Sequence, residues 1–252
     1  MIKKEIRIFF TALMFYTRIP CPQFADHNPD NLNKATRYFP LMGWIVGGIV
    51  ALSFYLFEYL LNMPMAILLS TITGIFVTGA FHEDGFADVC DGFGGGWTKE
   101  RILEIMKDSR TGAYGAIGIA LMLLTKMTAL YTAPPVHMGM LMIAAHSFSR
   151  LCPVLLMTAS RYVRENEDAK AKPLAKAITA AEIIPACIFG IAPLFYFGLY
   201  AIVIILPILG VIYLRYYFHK WIGGYTGDCL GTVQQVTELL FYIGMIMLWK
   251  FI

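Results

Sequence analysis

Residues 81–96 read FHEDGFADVCDGFGGG, with four carboxylates in nine positions: Glu83, Asp84, Asp88 and Asp91. At about 100° per residue, the i, i+4, i+7 spacing of Asp84, Asp88 and Asp91 sets all three within roughly 60° of one helical face. Like charges so close repel one another, and a divalent cation relieves the repulsion. Hard oxygen donors at this density suit Mg²⁺, Mn²⁺ or Ca²⁺ rather than zinc, so these three are the expected metal ligands. The plain alternative is a solvated helix end. Against it, Gly85 and the glycines at 92 and 94–96 make a poor helix surface on propensity but let a bulky ligand approach the backbone. His82 and Glu83 adjoin the acidic face without sharing it. Glu83 fits a base or an outer ligand, and His82 a supporting, capping or substrate-contacting role. Cys90 is a soft thiol that adds little to such a site and reads as core filler.

Two further polar runs carry candidate residues. KDSRTGAYG at 107–115 combines basic side chains, hydroxyls and glycines at a helix start. It suits an anion site in which Arg110 forks onto phosphate oxygens and Thr111 and Gly112 supply donors. A basic flank with a hydroxyl cap is the simpler reading of the same residues. GGYTGDCLG at 223–231 holds Thr226 and a lone Asp228 among glycines, with Glu238 about two turns on. A connector has no need of that Asp, and Asp228 is expected to complete the acidic site. Arg150 lies inside an apolar run, where a charge is costly and is usually paired; it either pairs with an acid or reaches substrate phosphate.

The elements that position these residues are membrane helices. Of 252 residues, 58% are apolar or aromatic and 15% charged, against roughly 45–50% and 25% in a soluble domain, and the mean hydropathy is +0.63. Net charge is +3 with the basic residues dispersed, which excludes a nucleic-acid stripe. Five cysteines with no C-x-x-C pair argue against a disulfide framework or a zinc ribbon. Spans need about 20 mainly apolar residues. Seven windows approach that, at about 41–61, 65–81, 114–132, 136–158, 183–199, 201–218 and 236–252, and the shorter run at 6–17 reads as an interfacial helix. The expected fold is thus an all-α polytopic bundle, a single integral-membrane catalytic domain over 1–252. Lys and Arg fill the N-terminal segment and the stretches 82–113 and 159–182, whereas the turns at 62–64, 133–135 and 197–200 have none. Basic loops stay in the cytoplasm, so the motif-bearing loops are expected to face it. Lys126 and Lys250 fit this pattern poorly.

HEDGFADVCDG, KDSRTGAYG and GGYTGDCLG, in this order, with TRIP at 17–20 and YFPLMGWIVG at 38–47, resemble cobalamin synthase, the adenosylcobinamide-GDP ribazoletransferase family, over most of the chain. Phe86 stands where Leu is expected and Thr232 where Ala is. The resemblance implies an Mg²⁺-dependent bacterial cytoplasmic-membrane enzyme of late cobalamin biosynthesis. It would transfer the cobinamide phosphate of adenosylcobinamide-GDP to the 5'-hydroxyl of α-ribazole, giving adenosylcobalamin and GMP. Glu83, Asp84, Asp88, Asp91 and Asp228 would be catalytic, and His82, Arg110, Thr111, Gly112, Thr226 and Arg150 would bind substrate. Membrane lipid is an implied partner, and oligomeric state is open, a homo-oligomer included. A CDP-alcohol phosphotransferase has a similar kind of acidic run, but its Asp-Gly-x-x-Ala-Arg element is missing: Asp84-Gly85 is followed by Phe86-Ala87-Asp88. A cation transporter would place its acids in mid-span rather than at span ends.

Overall fold

The computed structural model describes residues 2–25, 28–164 and 178–251. Among them there is no strand, and the helices run in the order α1 (Ile2–Tyr16), α2 (Pro29–Ala35), α3 (Phe39–Leu60), α4 (Met63–Thr78), α5 (Phe81–Gly95), α6 (Lys99–Ile105), α7 (Ala113–Thr132), α8 (Met138–Ala159), α9 (Ala180–Ile191), α10 (Ile205–Ile222) and α11 (Gly227–Phe251). Tight 3₁₀ turns link several of these, the longest being Ala192–Ile204 between α9 and α10. The expected cytoplasmic cations Lys170, Lys172 and Lys176, and Ile252, lie outside the described residues.

Local chemistry explains the boundaries that matter. Asn62 caps α4 by accepting a hydrogen bond from Met65 N (3.1 Å), and Pro64 in the first turn has no N–H to leave orphaned. At its other end Gly79 (φ 67°) and Ala80 (φ 57°) are both left-handed. Two such residues in succession turn the chain by 90°, so α4 and α5 form a bent pair. Gly223 (φ 79°) ends α10 in the same way, and Gly198 (φ 54°) breaks the segment between α9 and α10.

Among the described residues, five helical segments are long and apolar enough to cross a bilayer: Pro29–Leu60, Ala113–Thr132, Pro135–Ala159, Ala180–Ile222 and Gly227–Phe251, with the bent pair a sixth if taken together. Seven windows were expected. The difference arises where two windows, 183–199 and 201–218, fall on the one stretch Ala180–Ile222. Its 43 residues would reach about 65 Å as a straight helix, roughly twice the hydrocarbon thickness. The window at 65–81 contracts to the 16-residue α4, about 24 Å long, and its last residue passes into α5. The run expected at 6–17 is α1, which buries Ile8, Thr11, Ala12, Leu13 and Tyr16 and leaves Lys3, Lys4 and Ile6 exposed. Tyr16 stacks on Phe39 with centroids 4.0 Å apart, and Glu5 pairs with Arg37 (3.2 Å).

The core is centred on α8, whose buried face runs from Met138 to Met157. α3 lies against it in backbone contact because Gly43 and Gly47 form a small-xxx-small pair. A Cβ at Gly47 would sit 2.8 Å from Cα of Ile143, and one at Gly43 would strike the His146 carbonyl. Ser147 Oγ sits at the junction, within hydrogen-bond range of Pro40 O in α3 (3.2 Å) and of Phe189 O in α9 (2.8 Å). Gly47→Ile is therefore expected to destabilise the protein by about 1–3 kcal/mol, read as earlier thermal unfolding in detergent. Gly48→Ala, which meets nothing within 4 Å, should leave unfolding unchanged.

Candidate active site

The acidic helix α5 and the start of α11 touch through their backbones. A Cβ at Gly85 would lie 3.0 Å from Cα of Asp228, and one at Gly231 would lie 3.1 Å from the carbonyl oxygen of His82. Thr232 Oγ1 straddles the seam, within hydrogen-bond range of Gly85 O (3.3 Å) and Asp228 O (3.0 Å). This contact sets the first turn of α11 beside the acidic face of α5. Asp88 accordingly interacts electrostatically with Asp228, Asp84 and Asp91, and with Arg164. Asp228, 144 residues downstream of Asp84, thus lies beside the acidic face of α5.

Asp228 is held from two sides. Arg164 Nη2 lies 3.0 Å from its Oδ2, and Thr226 Oγ1 donates to the same oxygen (3.3 Å). Thr226 is itself fully buried. Arg164 is anchored by donating to Met106 O (3.2 Å). A short parallel bridge fixes the floor, with Tyr225 N donating to Arg161 O (3.0 Å) and Val163 N to Tyr225 O (3.0 Å). Arg164 was visible in the sequence only as one cation of a basic loop, because nothing in its local context announces a partner 64 residues away.

Asp91 is engaged differently from the expectation. Its two oxygens accept from Gly112 N (2.7 Å) and Gly115 N (2.8 Å). It thus caps α7 and supplies the anion that the 107–115 motif was expected to take from substrate. Gly112 and Gly115 permit this, since a Cβ at either would strike the Asp91 carboxylate. Arg110 is exposed and forks onto Asp108 (2.7 Å), holding that carboxyl down at about 2; Thr111 is exposed beside it.

Glu83 and Arg150 face a different environment, a cavity between α3, α4, α5, α7, α8 and α11 that Lys126, His146, Gln235 and Glu238 also line and that His82 borders from one side. Lys126 pairs with Glu238 (3.0 Å) and donates to Gln235 (3.0 Å), which explains a lysine within an apolar helix. Gln235 in turn donates to Glu83 (2.9 Å). Arg150, 2% exposed, donates to His146 O (2.9 Å), lies over the Phe39 ring and interacts electrostatically with Glu238 and Glu83. Among the described residues no carboxylate forms an ion pair with Arg150, whose hydrogen bonds go to His146 and whose Nε is buried without a partner.

Among the described residues no three His, Cys, Asp or Glu side chains form a ready-made metal cage. The fit of a cation rests on the donor chemistry at the α5–α11 seam, where Asp84, Asp88 and Asp228 gather hard oxygens in a charge cluster that Arg164 only partly offsets. Asp91→Asn turns one acceptor into a donor facing a backbone N–H. It is expected to cost about 1–3 kcal/mol of stability, seen as earlier unfolding in detergent, whereas Asp84→Asn should unfold as wild type.

A family model described as cobalamin-5-phosphate synthase matches residues 8–246. The chain is 42% identical over 261 residues to an adenosylcobinamide-GDP ribazoletransferase of Leptospira interrogans, covering 99% of this chain and 98% of that protein. It is 43% identical over 247 residues to the protein of the same name from Shewanella frigidimarina, covering 95% and 94%. No solved structure matches. With the α5–α11 acidic seam, the buried polar core and these relatives in agreement over nearly the whole length, the chain belongs to the cobalamin-5-phosphate synthase family.

Proposed function

We infer that this chain is an adenosylcobinamide-GDP ribazoletransferase, which joins α-ribazole to the cobinamide phosphate of adenosylcobinamide-GDP and releases GMP. The observation that carries the reading is the convergence of Asp84 and Asp88 of α5 with Asp228 of α11, beside Arg164. Phosphoryl transfer asks a protein mainly for positioning and for stabilisation of charge on the phosphate oxygens, and this cluster offers both. Asp84, Asp88 and Asp228 would hold Mg²⁺, which when bound supplies Lewis-acid polarisation of the diphosphate. Arg164 stays one quarter exposed while bound to Asp228, so it keeps guanidinium donors for a phosphate oxygen. Thr226 and Arg164 together hold Asp228 in one orientation. Asp91, by clamping the start of α7, keeps α5 in register with the 107–115 loop. The acceptor is a ribose hydroxyl of α-ribazole. That oxygen attacks the phosphorus on the cobinamide side of the diphosphate, and the bond to the GMP phosphate breaks, releasing GMP.

Against a CDP-alcohol phosphotransferase stands the missing Asp-Gly-x-x-Ala-Arg element, and a cation transporter has no use for Arg164 paired with Asp228 beside the acids. The direct assay is GMP release by purified protein in liposomes from adenosylcobinamide-GDP, α-ribazole and Mg²⁺. Asp84→Asn and Asp88→Asn should each lose activity by about two orders of magnitude or more, as expected when one charge stabiliser of a transition state is removed. Asp228→Asn combined with Asp88→Asn should lose far less than the sum of the two single losses, because residues serving one ion act as a unit. Excess EDTA should abolish turnover.

The same reading assigns the chain to the bacterial cytoplasmic membrane with the seam facing the cytoplasm, supported by the basic residues of 82–113 and 159–164. Lys99→Cys and Lys220→Cys, at exposed positions in an otherwise Cys-free chain, should resist impermeant thiol reagents in intact cells and react in inverted vesicles.

A further inference from the structure

Beside the acidic seam lies a second cavity, apolar in character and lined by Phe15, Tyr16, Phe39, Phe81, His82 and Gly227. Its walls are largely aromatic. Tyr16 and Phe39 are stacked, the His82 ring lies parallel to Phe39 at 5.6 Å, and Phe81 meets His82 edge-on at 5.2 Å. His82 is 2% exposed, and its Nε2 has no hydrogen-bond partner. That is an unusual state for a buried ring nitrogen. The cavity also reaches Gly227, the residue before Asp228, so anything seated in it abuts the carboxylate cluster.

We propose that this cavity is the subsite for the benzimidazole base of α-ribazole, an inference that rests on the reaction assigned above. Of the two substrates, the corrinoid is a macrocycle far broader than this slot, and guanine carries a polar edge that these walls do not match. A planar two-ring apolar base matches an apolar cavity walled by aromatic rings. Such a base keeps one unsubstituted ring nitrogen, an acceptor to which His82 Nε2–H donates, satisfying both groups. Seating the base here places the attached ribose at Gly227, next to Asp228 and the phosphate to be attacked, which is the positioning that a two-substrate transfer requires. It also gives α1 a function, since Phe15 and Tyr16 close the cavity from outside the bundle.

Gly227 provides a clean test, because a Cβ there meets open space and a larger side chain fills the cavity without striking backbone. Gly227→Leu should raise the KM for α-ribazole about ten-fold or more while the KM for adenosylcobinamide-GDP stays within about two-fold. The preference for α-ribazole over the riboside of one-ring imidazole should shrink. Phe81→Ala, at a half-exposed wall, should raise the α-ribazole KM and narrow the same preference, and it serves if Gly227→Leu fails to insert. Equilibrium dialysis of α-ribazole against both variants reads the subsite without turnover and should show the same weakening. Unchanged α-ribazole affinity in both variants assigns the cavity to a lipid chain and overturns the proposal, as does an equal rise in both KM values. Absence of GMP release by the wild type would overturn the reaction instead, and loss of α-ribazole binding in Gly227→Leu would still support the subsite.

Discussion

The backbone contact between α5 and the start of α11 is the constraint on which the rest of the structure depends. Gly85 facing Asp228 and Gly231 facing His82 leave no room for side chains between the two helices. That approach brings Asp84 and Asp88 of α5 into one electrostatic environment with Asp228 of α11. Thr232 reinforces it at the level of the backbone carbonyls, and one turn deeper Gln235 reinforces it through Glu83. The 90° bend after α4 is what turns α5 into line for this contact. The two left-handed residues Gly79 and Ala80 are therefore as much part of the site as the acids.

Beneath the seam, the bundle interior carries ions that would be costly alone. Lys126, Glu238 and Arg150 are each under 7% exposed, and truncating one member of a buried pair typically costs about 3–5 kcal/mol. Their partners come from four different helices, so the network ties α5, α7, α8 and α11 together in a medium where apolar contact alone discriminates poorly between helix neighbours. Gln234 and Gln235 act as neutral couplers: Gln234 donates to Glu238 (2.7 Å) and lies 3.0 Å from Ser149, and Gln235 joins Lys126 to Glu83. The arrangement separates functions by depth. Charges that must stay fixed are buried and paired, while those that would meet a cation or a phosphate sit at the helix ends.

Asp91 shows how one acidic pattern divides between tasks. All three aspartates share a helical face, yet a face some 60° wide still spans neighbours on both sides. Asp84 and Asp88 lie along the seam with α11, whereas Asp91, about one turn beyond Asp88, meets the start of α7. A helix N-terminus satisfies a carboxylate as well as a cation does, so Asp91 is neutralised by backbone and stabilises the loop that carries Arg110.

The sequence by itself determined the medium, the helical class, the location of the acidic face and the family, because each follows from composition, from spacing along one helix, or from contiguous motifs. It placed His82 and Glu83 off the acidic face, as the structure finds them. It did not determine that Lys126 pairs with Glu238, that Arg164 holds Asp228, that Arg150 is buried among partners, or that Asp91 caps α7. The partners of Lys126 and Arg164 lie 112 and 64 residues away, the acids around Arg150 88 and 67, and the amides on Asp91 21 and 24, and hydrophobic periodicity carries no information about which helix ends meet. The division of one apolar run at Gly198 and the bend at Gly79–Ala80 were likewise decided in three dimensions. A left-handed turn becomes favourable only when the helices on either side find surfaces to pack against, and those surfaces belong to the tertiary structure.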